Sequence, residues 1–331
     1  MARRATAIVA VLMGCITSSV AAQSPSRSTT MTWAPRAPMP TQRLEMASAS
    51  LDGRVFVIGG LSATGATLDT VEVYDPATDA WTEGPAHPVP IHHPMAAVLD
   101  GVLYVAGGYG PSGAATRRVH RLGPDGWEPV ARLPLARAAG TMVALGGRLL
   151  IAGGIDLSGD IGREMLAYDP GADAWAVVDG PPTPREHLGG AVADGRFVTV
   201  GGRVARQQLG TVEAWDPATG VWGTLAEMPT PRAGLGVTGT CAGGLVAIGG
   251  EDIRGVDDRT FPEVEAWDPV TGAWSSWVPL PEGRHGVAVV SAGPVVLVIG
   301  GGTQAGLSAS DTVEALELAG APGCGGTTAA P

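Results

Sequence analysis

Short apolar runs that end in two glycines recur along the sequence at regular intervals. One of them closes the string Val57-Ile58-Gly59-Gly60. The first glycines of successive pairs are 48, 46, 48, 48 and 51 residues apart. A regular period of this length indicates a repeat architecture rather than a series of unrelated domains. The six pairs are Gly59-Gly60, Gly107-Gly108, Gly153-Gly154, Gly201-Gly202, Gly249-Gly250 and Gly300-Gly301.

Each repeat predicts four short strands. In the first repeat, the runs 46–51 and 54–58 flank Asp52-Gly53. Asp-Gly between two apolar runs is a strong hairpin signal, because both residues tolerate positive φ. After the glycine pair, the alternating run Val71-Glu72-Val73-Tyr74 predicts a third strand, and Trp81 lies in a fourth. Four antiparallel strands in about 48 residues are typical of one β-propeller blade, so we predict an all-β fold.

Aromatic residues mark the outer two strands of the repeats. In four repeats a Tyr or Trp is followed by Asp-Pro and, seven residues after the aromatic residue, by a Trp. Such large side chains predict packing between neighbouring blades, since each can bury a large area. The pairs are Tyr74 and Trp81, Tyr168 and Trp175, Trp215 and Trp222, and Trp267 and Trp274.

The glycine pair, the aromatic-Asp-Pro string and the spaced Trp together resemble the kelch repeat, a β-propeller blade. The resemblance extends from about Met31 to Leu318, and apolar Leu122 and Leu316 replace the aromatic residue in the second and sixth repeats. The sixth repeat has no Trp strand, whereas an unassigned strand around Trp33 precedes the first. We therefore predict a six-bladed β-propeller of four-stranded antiparallel kelch blades over residues 31–319. Its last blade is closed by the N-terminal strand, which leaves no open sheet edge.

The N-terminal residues predict export. Arg3 and Arg4 precede an apolar run, and small residues end at Ala22. This order is typical of a signal peptide over residues 1–22. A linker (23–30) and a flexible tail (320–331) would flank the propeller. We expect a secreted or periplasmic protein, and an alternative is a lipoprotein anchored at Cys15.

Composition excludes several classes of partner and site. The net charge of −11 argues against nucleic acid, because phosphate binding needs a stripe of Lys and Arg. No further apolar run reaches the roughly 20 residues that a transmembrane segment needs. No ligand spacing such as His-Glu-x-x-His is present, so we expect neither a metal nor a cofactor. We expect a monomer in which Cys241 and Cys324 are unpaired, because a bridge would require the tail to reach back into the sheet.

Arginines recur sixteen residues before the first glycine of the pair, or seventeen in one repeat. Because this position opens the innermost strand, we expect the guanidinium groups to gather at one mouth of the central channel and to bind the ligand. The alternative is that each arginine caps blade backbone or pairs with a nearby carboxylate. The arginines are Arg43, Arg137, Arg185, Arg232 and Arg284.

The residue after each arginine position predicts a polar group at the same mouth. His92, Glu186 and His285 occupy this position in three repeats, with His93 and His187 next to two of them. Such residues could perform acid/base chemistry, since His titrates near neutrality, or they could bind a metal. The alternative is that they simply line a wet channel. Further candidates for contacting a sugar or peptide are Arg203, Arg206, Gln207, Gln208 and Tyr109. If the protein is an enzyme, Glu186 and His285 are the catalytic candidates.

Two functions from different classes follow. The first is an exported binding module that recognises a protein or glycan at the channel mouth, because no compact catalytic motif is present and a fold does not fix a function. The second comes from similarity in length, export signal and blade count to kelch enzymes of the N-acetylneuraminate mutarotase/epimerase type. That resemblance implies arginines holding a sugar carboxylate and Glu186 or His285 moving a proton. A copper oxidase is disfavoured, because Tyr74 and Tyr168 belong to the blade motif.

Overall fold

A computed structural model describes Met1 and residues 31–255 and 258–318. The predicted linker and tail, and the predicted signal peptide beyond Met1, lie outside the described residues. Within the described ranges, none of the chain forms a helix that could span a bilayer. In chain order, the strands are β1 (Trp33–Pro35), β2 (Arg43–Leu44), β3 (Ala47–Leu51), β4 (Arg54–Ile58), β5 (Leu61–Ser62), β6 (Val71–Asp75), β7 (Ala80–Glu83), β8 (Met95–Leu99), β9 (Val102–Ala106), β10 (Val119–Gly123), β11 (Gly126–Pro129), β12 (Thr141–Leu145), β13 (Arg148–Ala152), β14 (Met165–Asp169), β15 (Ala174–Val178), β16 (Gly189–Ala193), β17 (Arg196–Val200), β18 (Arg203–Val204), β19 (Gln207–Gln208), β20 (Val212–Asp216), β21 (Val221–Thr224), β22 (Gly236–Gly239), β23 (Leu245–Ile248), β24 (Glu251–Asp252), β25 (Arg259–Thr260), β26 (Val264–Trp267), β27 (Trp274–Ser276), β28 (Ala288–Ala292), β29 (Val295–Ile299) and β30 (Val313–Glu317).

The described strands form six antiparallel four-stranded blades. Each blade's innermost strand contacts the innermost strands of both neighbouring blades, so the blades close into a ring around a central channel. The predicted six-bladed propeller is therefore confirmed. From the inside outwards, the blades are β3-β4-β6-β7, β8-β9-β10-β11, β12-β13-β14-β15, β16-β17-β20-β21, β22-β23-β26-β27 and β28-β29-β30-β1, numbered blade 1 to blade 6.

The N-terminal strand completes the last blade. β1 pairs antiparallel with β30, and Trp33 lies opposite Leu316. The two turn residues that join β3 and β4, Asp52 and Gly53, have φ of 50° and 74°. Both the predicted closure and the predicted hairpin are therefore present, and β1 covers an edge of β30 that would otherwise be open to another chain.

The glycine pairs lie where the backbones of neighbouring blades meet. Gly59 has φ of 64°, and a Cβ atom there would lie 2.3 Å from the carbonyl oxygen of Ile91. The next glycine, Gly60, donates its N–H to that same carbonyl at 2.8 Å. Only glycine satisfies both the left-handed conformation and the close approach. The equivalent bonds elsewhere run from Gly108 to Arg137, Gly154 to Arg185, Gly202 to Arg232, Gly250 to Arg284 and Gly301 to Arg43.

The tryptophans tie each blade to the one before it. Trp81 Nε1 donates to the carbonyl oxygen of Ala37 at 2.9 Å, while its indole lies 5.0 Å from the Tyr74 phenol. Buried apolar clusters likewise join neighbouring blades, for example Ala106 of blade 2 with Ile151 of blade 3. The expected packing between blades is present. The other donor and acceptor pairs are Trp33 and Val278, Trp127 and Pro85, Trp175 and Ala131, Trp222 and Asp179, and Trp274 and Ala226.

The prediction of an unpaired Cys241 was wrong. Cys241, in the turn between β22 and β23, is disulfide-bonded. The prediction treated the need for the tail to reach back into the sheet as evidence against a disulfide. Chain distance alone does not show whether a cysteine is paired.

Candidate functional site

The repeated arginines lie buried inside the blades instead of gathering at the channel mouth, which corrects the sequence expectation, although Arg137 also lines the pocket described below. All five are only 0–1% exposed. Arg185 Nε donates to the carbonyl oxygen of Gly201 at 2.7 Å, and its Nη1 donates to Glu213 Oε2 at 2.5 Å. The alternative of a cap and a carboxylate partner therefore describes these side chains. The ion pairs are Arg43 with Glu72, Arg137 with Glu164, Arg185 with Glu213, Arg232 with Glu265 and Arg284 with Glu314.

A second set of repeated positions surrounds the channel two residues after each arginine position. We call these residues the channel ring: Glu45, His93, Ala139, His187, Gly234 and Gly286. All six have left-handed backbone, with φ from 51° to 63°. Each N–H donates to the carbonyl oxygen of the ring residue in a neighbouring blade, as His93 does to Glu45 at 2.7 Å, and the six bonds form a closed cycle. The backbone conformation at these positions is therefore held by hydrogen bonds that join all six blades.

Arg203 organises the polar groups at the mouth. It directly follows the glycine pair of blade 4, and it is 8% exposed. Its Nε donates to Glu186 Oε1 at 2.5 Å, and its Nη1 donates to Glu251 Oε1 at 2.9 Å. His285 Nε2 lies 3.3 Å from Glu251 Oε2. One guanidinium thus links carboxylates of the neighbouring blades 4 and 5.

A chain of histidines continues from this arginine across the channel. Arg203 Nη2 lies 3.2 Å from His187 Nδ1, which also contacts Glu186 Oε2. His187 Nε2 lies 3.0 Å from His93 Nε2, and His93 Nδ1 lies 2.6 Å from His92 Nδ1. We call the eight residues that these contacts connect the mouth cluster: Glu45, His92, His93, Glu186, His187, Arg203, Glu251 and His285.

Burial changes the protonation of the mouth cluster. It raises the pKa of Glu45 to about 7, with nearby His285 opposing the rise. Burial also lowers the pKa of His93 to about 3 and that of His92 to about 4. The pKa of His187 is lowered well below its ordinary value, again mainly by burial. These three imidazoles are neutral near pH 7, so their nitrogens can accept a hydrogen bond or bind a metal ion.

A pocket of about 670 Å³ opens beside the mouth cluster, between the loops of blades 3 and 4. Its walls include Leu135, Asp156, Asp160, Arg163 and Glu186. This volume lies within the range of about 300–1,000 Å³ that is usual for ligand pockets. The pocket combines apolar and acidic side chains on loops that differ from blade to blade.

Of the residues predicted from sequence, the structure brings His92, Glu186, Arg203 and His285 to one mouth. Tyr109 packs on His92 with a centroid distance of 5.1 Å, and Gln208 is buried. Sequence reasoning missed the carboxylate of Glu45, and it considered Glu251 only as part of a charged loop that could clamp a ligand. Glu45 occupies the repeat position of His93 and His187, and Glu251 occupies that of Arg203. Carrying these positions through every repeat would have identified both.

Comparisons with known proteins agree with this architecture. A family model described as "Kelch motif" matches residues 42–88 and 184–229. The Kelch-like protein terF of Aspergillus terreus is 28% identical over 83% of this chain. Human Kelch-like protein 34 is 35% identical over 45% of this chain. The chain spans 64% of the fungal protein and 24% of the human one.

A solved structure, entitled "Structure of YjhT", superposes with a TM-score of 0.72. The match covers 84% of this chain and 95% of that one at 18% sequence identity. At this identity the similarity shows the fold alone.

Proposed function

This chain belongs to the kelch-repeat β-propeller family, and we propose that it is an exported binding module that recognises a protein partner at its channel-mouth face. Kelch propellers generally bind proteins. The observation that carries the proposal is the pocket of about 670 Å³ on the mouth side, which is bounded by loops that do not repeat. Variable loops on a rigid scaffold are where recognition is usually located.

Exposed apolar side chains on the mouth loops support a protein partner. Leu157 is 67% exposed in the loop that borders the pocket, and Leu307 is 58% exposed in the corresponding loop of blade 6. Val204 and Leu135 are also exposed on this side. Apolar groups near a polar rim are typical of protein interaction surfaces.

The charge of the pocket favours a basic or neutral segment of that partner. Asp156, Asp160 and Glu186 line it, whereas Arg163 is its one exposed cationic side chain among the described lining residues. Complementary charge accelerates association and rejects partners of the wrong sign. We therefore expect the bound segment to carry Lys or Arg and an apolar anchor.

Arrays of basic, neutral and acidic peptides, together with a glycan array, test this proposal on the full chain. We expect basic peptides to be retained in a salt-sensitive manner. Leu157→Ala and Asp160→Asn should weaken binding by at least about fivefold, which is the effect of losing roughly 1 kcal/mol. Val270→Ala and Asp100→Asn are the matched controls, because both residues lie in exposed turns at the opposite end of the blades.

Each outcome has a defined meaning. Retention of glycans but not peptides would replace the protein partner by a glycan at the same face. Binding that the control variants weaken as much as the mouth variants would overturn the channel mouth as the site.

The mutarotase hypothesis loses the arginines on which it relied. A sugar carboxylate needs accessible guanidinium groups, whereas the repeated arginines are buried and paired. Arg203 is the cation closest to the proposed catalytic Glu186, and it already bridges two carboxylates. We expect anomer exchange of N-acetylneuraminate, followed by NMR, to proceed at the uncatalysed rate. Clear acceleration that Glu186→Gln removes would restore the enzyme hypothesis.

A further inference from the structure

Three side chains of the channel ring converge on one point of the channel. Glu45 offers a carboxylate oxygen, and His93 and His187 each offer a ring nitrogen, with these atoms all within 4.8 Å of one another. His93 Nε2 lies 3.0 Å from His187 Nε2 and 3.3 Å from Glu45 Oε2. Atoms bound at about 2.0–2.1 Å to one tetrahedral ion lie about 3.3 Å apart. The spacing is therefore close to that of a metal-ligand set.

The second nitrogen of each imidazole already has a partner. His187 Nδ1 contacts Glu186 Oε2 and also lies 3.2 Å from Arg203 Nη2, and His92 Nδ1 lies 2.6 Å from His93 Nδ1. Metal-binding histidines commonly donate their other N–H to a partner of this kind. When both Nδ1–H groups donate outwards, the two Nε2 lone pairs face each other across 3.0 Å. A cation between them removes the repulsion.

The backbone conformation also indicates that these three side chains serve a function. Glu45, His93 and His187 hold left-handed φ, a conformation that is unfavourable for side chains with a Cβ atom. Gly234 and Gly286 occupy the equivalent positions in blades 5 and 6. Retention of large polar side chains in strained conformations is typical of functional sites. The small ring residues border a cavity of about 120 Å³, which is large enough for an ion and a few water molecules.

The charges of the mouth cluster also favour a bound cation. Glu186 and Glu251 supply two carboxylates beside the single guanidinium of Arg203. Buried negative charge is costly unless a positive charge offsets it. A divalent cation among these groups would offset the excess.

We propose that Glu45, His93 and His187 bind one divalent transition metal ion of the Zn²⁺ type, with an open coordination position facing the channel cavity. Two imidazoles and one carboxylate suit Zn²⁺, whereas Ca²⁺ and Mg²⁺ prefer all-oxygen sites. Three protein ligands with one open position are typical of sites at which the metal binds water or an incoming donor. Glu186, which contacts the proposed ligand His187, also lines the partner-binding pocket proposed above.

Metal titration of the full chain, purified without a histidine tag and stripped with EDTA, tests the proposal. We expect the wild type to bind one equivalent of Zn²⁺ by calorimetry. Co²⁺ should bind at the same site and produce visible d–d absorption that Zn²⁺ abolishes. His93→Ala, His187→Ala and Glu45→Gln should each weaken binding by at least about tenfold.

The chain supplies its own folding control. Ala139 has the same left-handed backbone in blade 3, so alanine is compatible with this position. Glu83→Gln is the matched control, because it removes an exposed carboxylate of β7 that lies outside the mouth cluster. Circular dichroism without metal checks that each variant is folded. No saturable binding by the stripped wild type, or equal binding by wild type and His187→Ala, would overturn the proposal.

Discussion

Two arginines of neighbouring blades show how differently the same side chain is used in this propeller. Arg232 is 0% exposed and donates to the glycine carbonyl and the third-strand carboxylate of its own blade. Arg203 is 8% exposed and joins Glu186 to Glu251 across a blade boundary. The first arrangement recurs in most blades, whereas the second occurs in one place among the described residues. A polar residue that recurs at the same position in most repeats therefore stabilises the blade. A polar residue that occurs at its position in one repeat is a better candidate for a binding site.

The largest expected effect follows from removing a repeated arginine. Arg232→Met leaves Glu265 buried without its partner, which should lower the free energy of unfolding by about 3–5 kcal/mol. Urea denaturation measures this loss. Arg121→Ala, which removes an exposed ion pair with Glu128, should cause no measurable change. A loss below about 1 kcal/mol for Arg232→Met would contradict a structural role for the repeated arginines.

The glycine pairs should be nearly as sensitive. A Cβ atom at Gly249 would lie 2.3 Å from the carbonyl oxygen of Arg284 in the next blade. Gly249→Ala should therefore cost about 2–4 kcal/mol, from left-handed strain together with overpacking. Gly272 has φ of 68°, and a Cβ atom there would have no neighbour within 4 Å, so Gly272→Ala should cost about 1–2 kcal/mol. Equal losses in the two variants, again by urea denaturation, would show that blade contact is not the cause.

Removal of the mouth arginine should cost less than removal of a blade arginine. Arg203→Met leaves two glutamates near each other, but Glu251 keeps Gly306 N–H and His285 as partners, and Glu186 keeps its contact with His187. We expect a loss of about 1–3 kcal/mol, which Glu186→Gln and Glu251→Gln together should partly reverse. A loss as large as that of Arg232→Met would remove the distinction between the two regions.

The smallest effect concerns a contact that recurs at the outer end of two blades. Asp79 accepts hydrogen bonds from the Tyr74 hydroxyl and from Ala37 N, and these bonds lower its pKa. Because the folded pKa is depressed, the stabilisation is present above the ordinary pKa near about 4 and is lost as the pH falls through the folded value. The difference in melting temperature between wild type and Asp79→Asn should therefore be larger at neutral pH than in strong acid. A difference that grows in acid would contradict the assigned cause.

Much of the fold could be predicted from the sequence, because glycines and tryptophans act through backbone positions that recur. The closure of blade 6 by Trp33 followed from counting strands. Side-chain direction could not be read in this way, and so the arginines were expected at the mouth instead of inside the blades. A partial internal signal existed: the blade that has Ile91 in place of arginine also has His120 in place of the third-strand glutamate. Blade 3 departs from this rule, because it keeps Arg137 while Leu166 stands at the glutamate position and Glu164 supplies the carboxylate.

The candidate site could be predicted only in part. Glu186 and His285 were identified because their repeat position opens the inner strand. Their partners Glu251 and Arg203 directly follow the glycine pairs of blades 5 and 4, and the packing of these two neighbouring blades brings them together. Contacts between neighbouring blades depend on how the blades pack, which the sequence of a single repeat does not contain.

The most direct measurement compares the two regions in one experiment. Urea unfolding curves in metal-free buffer would be recorded for Arg232→Met and for the double variant His93→Ala/His187→Ala. We predict that Arg232→Met loses about 3–5 kcal/mol, while the double variant stays within about 1 kcal/mol of the wild type. An equal loss in both would contradict the central claim, because the mouth cluster would then be part of what holds the propeller together.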